Sequence, residues 1–178
     1  MNLLNLYFST TGNTEKVAKQ IEKAAKEGGH QVDTFKVKKE TDVDLLHYDF
    51  LFIGSGVYRW LPGKPMLDFI SRALKKYAGN GDIKPCAPRL PDKKGVVYCT
   101  YGGVHTGVNE AVPAVKYMGQ LLDHLGIEIV DEWYIVGEYH LKKHQGLSTR
   151  GRLGNILERP NSDDLQKVTE RVRGILQI

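Results

Sequence analysis

Five short apolar runs alternate with helical patterns along this chain, and that alternation constrains the fold more than any other feature. Residues 3–8 are an apolar run suited to a strand buried on both faces. A polar turn spans 9–13. Val17, Ile21, Ala24 and Ala25 then recur at helical spacing, and Gly28 and Gly29 stop that helix. Residues 31–37 alternate apolar and polar side chains, as a second strand would. The connection after it leaves room for a short helical crossover around 44–48. Residues 50–53 are a third strand, ended by Gly54-Ser55-Gly56, and Pro65 opens a helix whose inner face is Met66, Phe69, Ile70, Ala73, Leu74 and Tyr77. Residues 95–100 and 127–136 are the fourth and fifth strands. The helix between them starts near Pro113 and carries Val115, Met118, Leu122 and Leu125 on one side. Asn161 or Ser162 caps a last helix with Leu165, Val168, Val172 and Ile175 inward.

Strands alternating with helices predict an α/β fold of three layers, a parallel sheet with helices on both faces. Right-handed crossovers leave few topologies, and five strands suggest the order 2-1-3-4-5. The 178 residues suffice for one domain with its own core. We therefore expect a single domain over 1–178, with irregular excursions near 78–94 and 137–160 where Gly and Pro are frequent.

Charge and cysteine content narrow the function classes. The net charge of +4 is spread along the chain without a block of basic residues, which disfavours nucleic acid as a partner. A local excess at Lys142, Lys143, His144, Arg150 and Arg152 is either a solvated loop or a contact for an anionic partner. No apolar run reaches the ~20 residues of a membrane span. The first residues lack the basic start and small-residue cleavage site of a secretion signal, so the expected location is the cytoplasm. The two cysteines, Cys86 and Cys99, form no C-x-x-C pair. That excludes a zinc ribbon or a cysteine-held iron–sulfur cluster within the chain, and Cys99 reads as a small buried hydrophobe.

In an open α/β sheet, ligands bind beyond the carboxyl ends of the strands, where the strand order reverses. Three loops meet there. The first is Ser9-Thr10-Thr11-Gly12-Asn13-Thr14, joining a strand to a helix N-terminus rich in free N–H groups. Its four hydroxyls and one amide suit a compact phosphate better than an ordinary capped turn. No Gly-Lys-Ser/Thr comes after it and no G-x-G-x-x-G is present, so neither a nucleoside triphosphate nor a dinucleotide is expected here. No Cys-x5-Arg and no acidic pair after the first strand occur, which argues against a thiol phosphatase and a phospho-acceptor domain. The second loop contains Ser55, Gly56, Val57, Tyr58, Arg59 and Trp60. Its glycines permit main-chain flips near a ligand, and either Tyr58 or Trp60 offers a flat face to a planar ring, unless Trp60 packs on the next helix. The third contains Thr100, Tyr101, Gly102, Gly103 and His105: an aromatic for the other ring face, two glycines for the ring carbonyls, and a histidine that is either a ligand or merely solvated. A phosphate cradle beside two aromatic walls points to FMN.

These same residues resemble the flavodoxin family. The run Tyr7-Phe8-Ser9-Thr10-Thr11-Gly12-Asn13-Thr14-Glu15 is similar to the flavodoxin phosphate signature, and 48–58 resembles the third strand and flavin loop. Lys64-Pro65-Met66-Leu67-Asp68-Phe69-Ile70 resembles the segment beyond that loop in many bacterial flavodoxin-domain proteins. The resemblance implies a flavodoxin-like fold, an FMN and electron transfer with redox partner proteins or small-molecule acceptors. It departs in charge, since electron-carrying flavodoxins are usually strongly acidic. It departs also in the third loop, which lacks an acidic residue, and in the two excursions, which leave room for a dimer interface or a substrate pocket. The expected function is therefore electron transfer, with an NAD(P)H-dependent quinone or flavin reductase as the alternative and a flavin-free binding module as a third. No side chains here form a nucleophile–base pair, so no catalytic residue is assigned.

Overall fold

The computed structural model describes residues 1–177. The alternation takes the form of β1 (Asn2–Phe8), α1 (Asn13–Glu27), β2 (Gln31–Lys36), β3 (Phe50–Tyr58), β4 (Leu61–Pro62), α2 (Lys64–Asn80), β5 (Lys94–Tyr101), α3 (Val112–His124), β6 (Glu128–Val136), α4 (Leu147–Arg150) and α5 (Ser162–Leu176). Five strands run parallel in the order β2-β1-β3-β5-β6, the expected 2-1-3-4-5 once the two-residue β4 is set aside. No described helix is long and apolar enough to cross a membrane.

Alternation along each strand sorts the side chains into two cores. Leu4 and Leu6, Leu51 and Ile53, and Val97 and Cys99 face α2 and α3. Leu3 and Tyr7, Phe50 and Phe52, and Val96 and Tyr98 face α1 and α5. The three central strands are thus buried on both sides, which is why they read as continuous apolar runs. The α1/α5 side is aromatic: Trp133 of β6 lies 5.7 Å from Phe52 and 6.5 Å from Tyr98, ring centre to ring centre.

One buried polar group sits in β1. Asn5 donates from Nδ2 to the Ala18 carbonyl (2.8 Å) and accepts from the Tyr98 hydroxyl (3.0 Å), so its amide ties β1 to both α1 and β5. Burial pushes the Tyr98 phenol well up from its ordinary range, which keeps it a neutral donor. The Tyr98 ring fills the space beneath Gly54. A Cβ built on Gly54 would stand 2.1 Å from the ring carbon Cζ, so only glycine fits at this point of β3.

Two expectations change, and the short helical crossover expected around 44–48 is present as a 3₁₀ turn. β3 does not end at Gly54-Ser55-Gly56. It continues to Tyr58, because Gly54 pairs with Tyr7 on one side and Tyr98 on the other, and Ser55 and Gly56 continue the ladder against Cys99 and Thr100. The crossover turn, Leu45–His47, is fastened by the Tyr77 hydroxyl, which accepts from the Leu45 N–H (2.7 Å) and donates to Asp44 (3.0 Å). The stretch after β6 is not wholly irregular: it contains a 3₁₀ turn at Lys142–His144 and the short α4. Asn161 is the cap of α5, in a reciprocal pair with Asp164.

Substituting Gly54→Ala is expected to lower unfolding stability by about 2 kcal/mol or more, since the ring of Tyr98 has no free volume to enter. Gly79→Ala, on the open side of α2 with nothing within 4 Å of the new Cβ, is expected to raise it by about 0.5 kcal/mol. Urea unfolding of the two variants checks the contrast.

Candidate functional site

The carboxyl ends of β1, β3 and β5 open into a cleft of about 410 Å³, within the size range of small-molecule sites. Its floor is the start of α1. Gly12 occupies the cap position with φ 103°, and no side chain caps the helix. The first intrahelical bond is donated by Lys16 to the Gly12 carbonyl (2.9 Å). The N–H groups of the first turn and the helix dipole are thus directed at the cleft, an arrangement that favours an anion.

The hydroxyls of the first loop divide into different tasks. Ser9 accepts from the Gly12 N–H (3.1 Å) and shapes the turn. Thr14 bonds Thr100 at 2.7 Å through their hydroxyls, locking α1 to the end of β5. Thr10 is exposed and outside the cleft; its N–H donates to the Tyr58 hydroxyl (3.1 Å), which donates to the Thr10 hydroxyl (2.8 Å). Thr11 is exposed and lines the cleft. Asn13 lines it too, but its amide is engaged: Nδ2 donates to the Glu138 carbonyl (2.9 Å) and Oδ1 accepts from His140 Nε2 (2.7 Å).

The second wall is a hairpin. Val57 pairs with Pro62 and Tyr58 with Leu61, leaving Arg59 and Trp60 as a two-residue turn. Both have left-handed backbones, φ 50° and 68°, a conformation that costs a non-glycine residue roughly 1–2 kcal/mol. Gly56, Val57, Tyr58 and Arg59 line the cleft, while Trp60 stands at the tip, 61% exposed. Trp60 is therefore not packed away on α2. Ser55 is fully buried and structural: its hydroxyl donates to the Gly56 carbonyl (2.8 Å) and accepts from the Gly63 N–H (3.0 Å), fixing the hairpin base. The glycines here are ladder residues, paired with β1 or β5 rather than lying in an open loop.

Of the third loop, Thr100, Tyr101 and Gly102 line the cleft; Gly103 and His105 do not. Tyr101 is only 8% exposed and packs mainly with the α2/α3 core. The His105 side chain is solvated, and the N–H groups of His105 and Thr106 both donate to the Glu110 carboxylate (2.6 and 2.8 Å).

The fourth wall comes from the stretch after β6, which sequence reasoning does not assign to the site. Residues 137–141 and His144 line the cleft. Tyr139 lies over the Gly102 main chain, where a Cβ would stand 2.3 Å from its ring. Burial first, and the Glu110 charge second, push its phenol up, so it stays neutral. The imidazole of His140 is held between Asn13 and Glu138, with Nδ1 3.5 Å from the Glu138 carboxylate. The signal that could have found this wall is positional: the segment leaves the carboxyl end of a strand beside the switch point and carries Tyr139, His140 and His144.

Residues 6–170 match the family model described as Flavodoxin. A flavodoxin of Haemophilus influenzae is 36% identical over 70 residues, 39% of this chain and 38% of the relative, so the match spans about two fifths of that curated protein's length. Among solved structures, oxidised Flavodoxin 2 from Bacillus cereus superposes with a TM-score of 0.71 at 19% identity, covering 99% of each chain. The flavodoxin of Streptococcus pneumonia TIGR4 gives 0.68 at 17%, again over 99% of each chain. These likenesses show the fold. The family model takes in nearly the whole chain, from β1 into α5, and by that match this protein belongs to the flavodoxin family.

Proposed function

We propose that the protein binds one FMN in this cleft and passes electrons between redox partners. The observation that carries the reading is the meeting of an uncapped helix N-terminus with two aromatic side chains, Tyr58 and Tyr139, in one cleft at the switch point. The residues fit the group. A phosphate takes the free N–H groups at the start of α1 and the Thr11 hydroxyl, with Ser9 and Thr14 holding the turn in shape. A planar ring is bounded by the hairpin on one side and by the 137–144 segment on the other. Gly56 and Gly102 let Tyr58 and Tyr139 pack directly against the main chain at the cleft, where a Cβ would stand 3.0 Å and 2.3 Å from those side chains.

FMN supplies the redox chemistry when bound. The chain supplies the surroundings. Apolar walls from Val57, Tyr101 and Leu141 exclude water. Arg59 places a positive charge at the wall, which offsets negative charge gained by the site on reduction. His140 is oriented by Asn13 and Glu138 with its Nε2 proton directed at the Asn13 oxygen, so the imidazole acts as a clamp between the phosphate loop and the fourth wall. Partners on this reading are redox proteins or small-molecule electron acceptors.

The visible spectrum of the purified protein tests the reading. Flavin bands, present as isolated or after adding FMN, are expected. Stepwise dithionite reduction then separates the chemistries: a long-wavelength band that rises and falls between the oxidised and reduced spectra marks a one-electron carrier. Direct passage to the reduced spectrum, together with oxidation of NAD(P)H, marks a two-electron reductase instead. A colourless protein that takes up no added FMN overturns the proposal.

A second measurement locates the phosphate. Thr11→Glu sets a carboxylate where the phosphate is proposed to sit, at a helix start that tolerates negative charge. FMN affinity is expected to fall about 100-fold by like-charge repulsion, while riboflavin affinity and the unfolding midpoint hold. Equal losses for FMN and riboflavin would place the phosphate elsewhere.

A further inference from the structure

We propose that the mouth of the cleft is a docking surface for an acidic electron-carrier protein, the opposite charge sense from an acidic carrier that docks on basic partners. The inference rests on the reading above only for where the redox centre lies.

Three independent observations meet at the mouth. The first is charge. Residues 137–153 carry Lys142, Lys143, Arg150 and Arg152 against a single carboxylate, Glu138. Glu138 is turned to His140, and the nearby Glu110 is engaged by the N–H groups of His105 and Thr106. Among the described residues, none of Arg59, Lys142, Lys143, Arg150 and Arg152 forms a salt bridge within the chain. Arg59 lines the cleft, Lys142 and Lys143 share a 3₁₀ turn with the cleft-lining His144, and the Arg152 side chain lies against Gly107, beyond the third loop's cleft-lining residues. The positive end of α1 points the same way.

The second observation is apolar exposure within that basic rim. Trp60 is 61% exposed, Leu141 52%, Leu61 40% and Tyr58 38%. Tyr58, Trp60 and Leu61 belong to the hairpin wall and Leu141 to the opposite wall, so the apolar groups border the entrance from both sides. Exposed Trp, Tyr and Arg surrounded by charge is the make-up of an interface centre.

The third is strain. The hairpin tip needs two left-handed residues, positions that Asn-Gly fills without cost, yet Arg59 and Trp60 stand there. Strained backbone held at a site mouth points to side chains kept for contact rather than for the turn.

A protein fits better than an anionic membrane. Interfacial membrane anchors present an amphipathic helix with a free apolar face. Here the long helices α1, α2, α3 and α5 spend their apolar faces on the two cores. The exposed groups instead ring an entrance, which suits a partner that brings its own redox centre to the cleft.

Calorimetric titration of the FMN-loaded protein with a strongly acidic bacterial ferredoxin, at low and at tenfold higher salt, tests the proposal. Binding is expected at low salt and is expected to weaken at least about tenfold at high salt. The pair Lys142→Glu and Lys143→Glu is expected to weaken it about tenfold, and Lys75→Glu, exposed on α2 and outside the cleft lining, to leave it within about twofold. Trp60→Gly is expected to weaken it by roughly tenfold while the unfolding midpoint holds or rises, because glycine relieves the turn. A merely structural role for Trp60 would give the reverse. Flavin absorbance measured in each variant keeps loss of cofactor distinct from loss of docking. No binding to the ferredoxin, equal binding of a basic cytochrome c, indifference to the mouth variants, or capture by phosphatidylglycerol vesicles through the same lysines overturns the proposal.

Discussion

Gly54 lies between Tyr7 and Tyr98 in the parallel ladder of β1, β3 and β5, and the position of the site depends on that contact. Without a side chain at Gly54, the ring of Tyr98 enters beneath β3 and its hydroxyl reaches Asn5. The three central strands are thereby fixed in one register. Their carboxyl ends finish at one edge, and the start of α1, the β3–β4 hairpin and the loop after β5 are delivered to the same place. A parallel sheet makes this unavoidable, because every strand points its carboxyl end the same way. The reversal of strand order around β1 and β3 then separates the loops enough to leave a cleft between them.

The legible part of the sequence is the part encoded locally. Helix periodicity marks the buried faces of α1 and α3, and the hydroxyl-rich turn before α1 marks a helix start that opens on the cleft, because a helix N-terminus needs no distant partner to present its N–H groups. Local signals mislead where distant partners decide. Gly54-Ser55-Gly56 looks like punctuation, but ladder bonds on both sides hold it as strand and Ser55 bonds the hairpin base. Tyr101 reads as a wall for a ring and does line the cleft, but strand alternation buries most of it in the α2/α3 core, and Tyr139, from the stretch after β6, lies over Gly102. Asn13 reads as a free phosphate donor, yet its amide is taken by a segment 125 to 127 residues further along the chain. No window of sequence contains that pairing.

The clamp at Asn13 changes how the anion site works. A side-chain amide that faced the phosphate would add one donor. Bonded to the Glu138 carbonyl and the His140 ring, it instead fastens the fourth wall to the first turn of α1. On the proposed reading, a phosphate would then be left with main-chain donors and the Thr11 hydroxyl, groups whose positions are set by the helix start. The 137–144 wall and the first turn of α1 are thereby fastened together through Asn13.

That wall also carries the basic rim. The segment running from Glu138 through His144 is held inward by Asn13 at one end and by the Ser148 hydroxyl, which accepts from the Tyr139 N–H (2.9 Å), further along. Lys142 and Lys143 are on the part between these fastenings and are exposed. Opposite them, the strained hairpin presents Arg59 and Trp60. Charge that is free of internal partners keeps its full reach toward an approaching molecule, within the Debye length of the medium. On the docking proposal, an acidic partner would be drawn first to the rim and would meet the apolar side chains at the entrance only on close contact, the order that steers encounter by charge and fixes a complex by desolvation. The cations nearest the cleft, Arg59, Lys142 and Lys143, would on that proposal stand where an electron enters or leaves, although basic residues are spread along the whole chain.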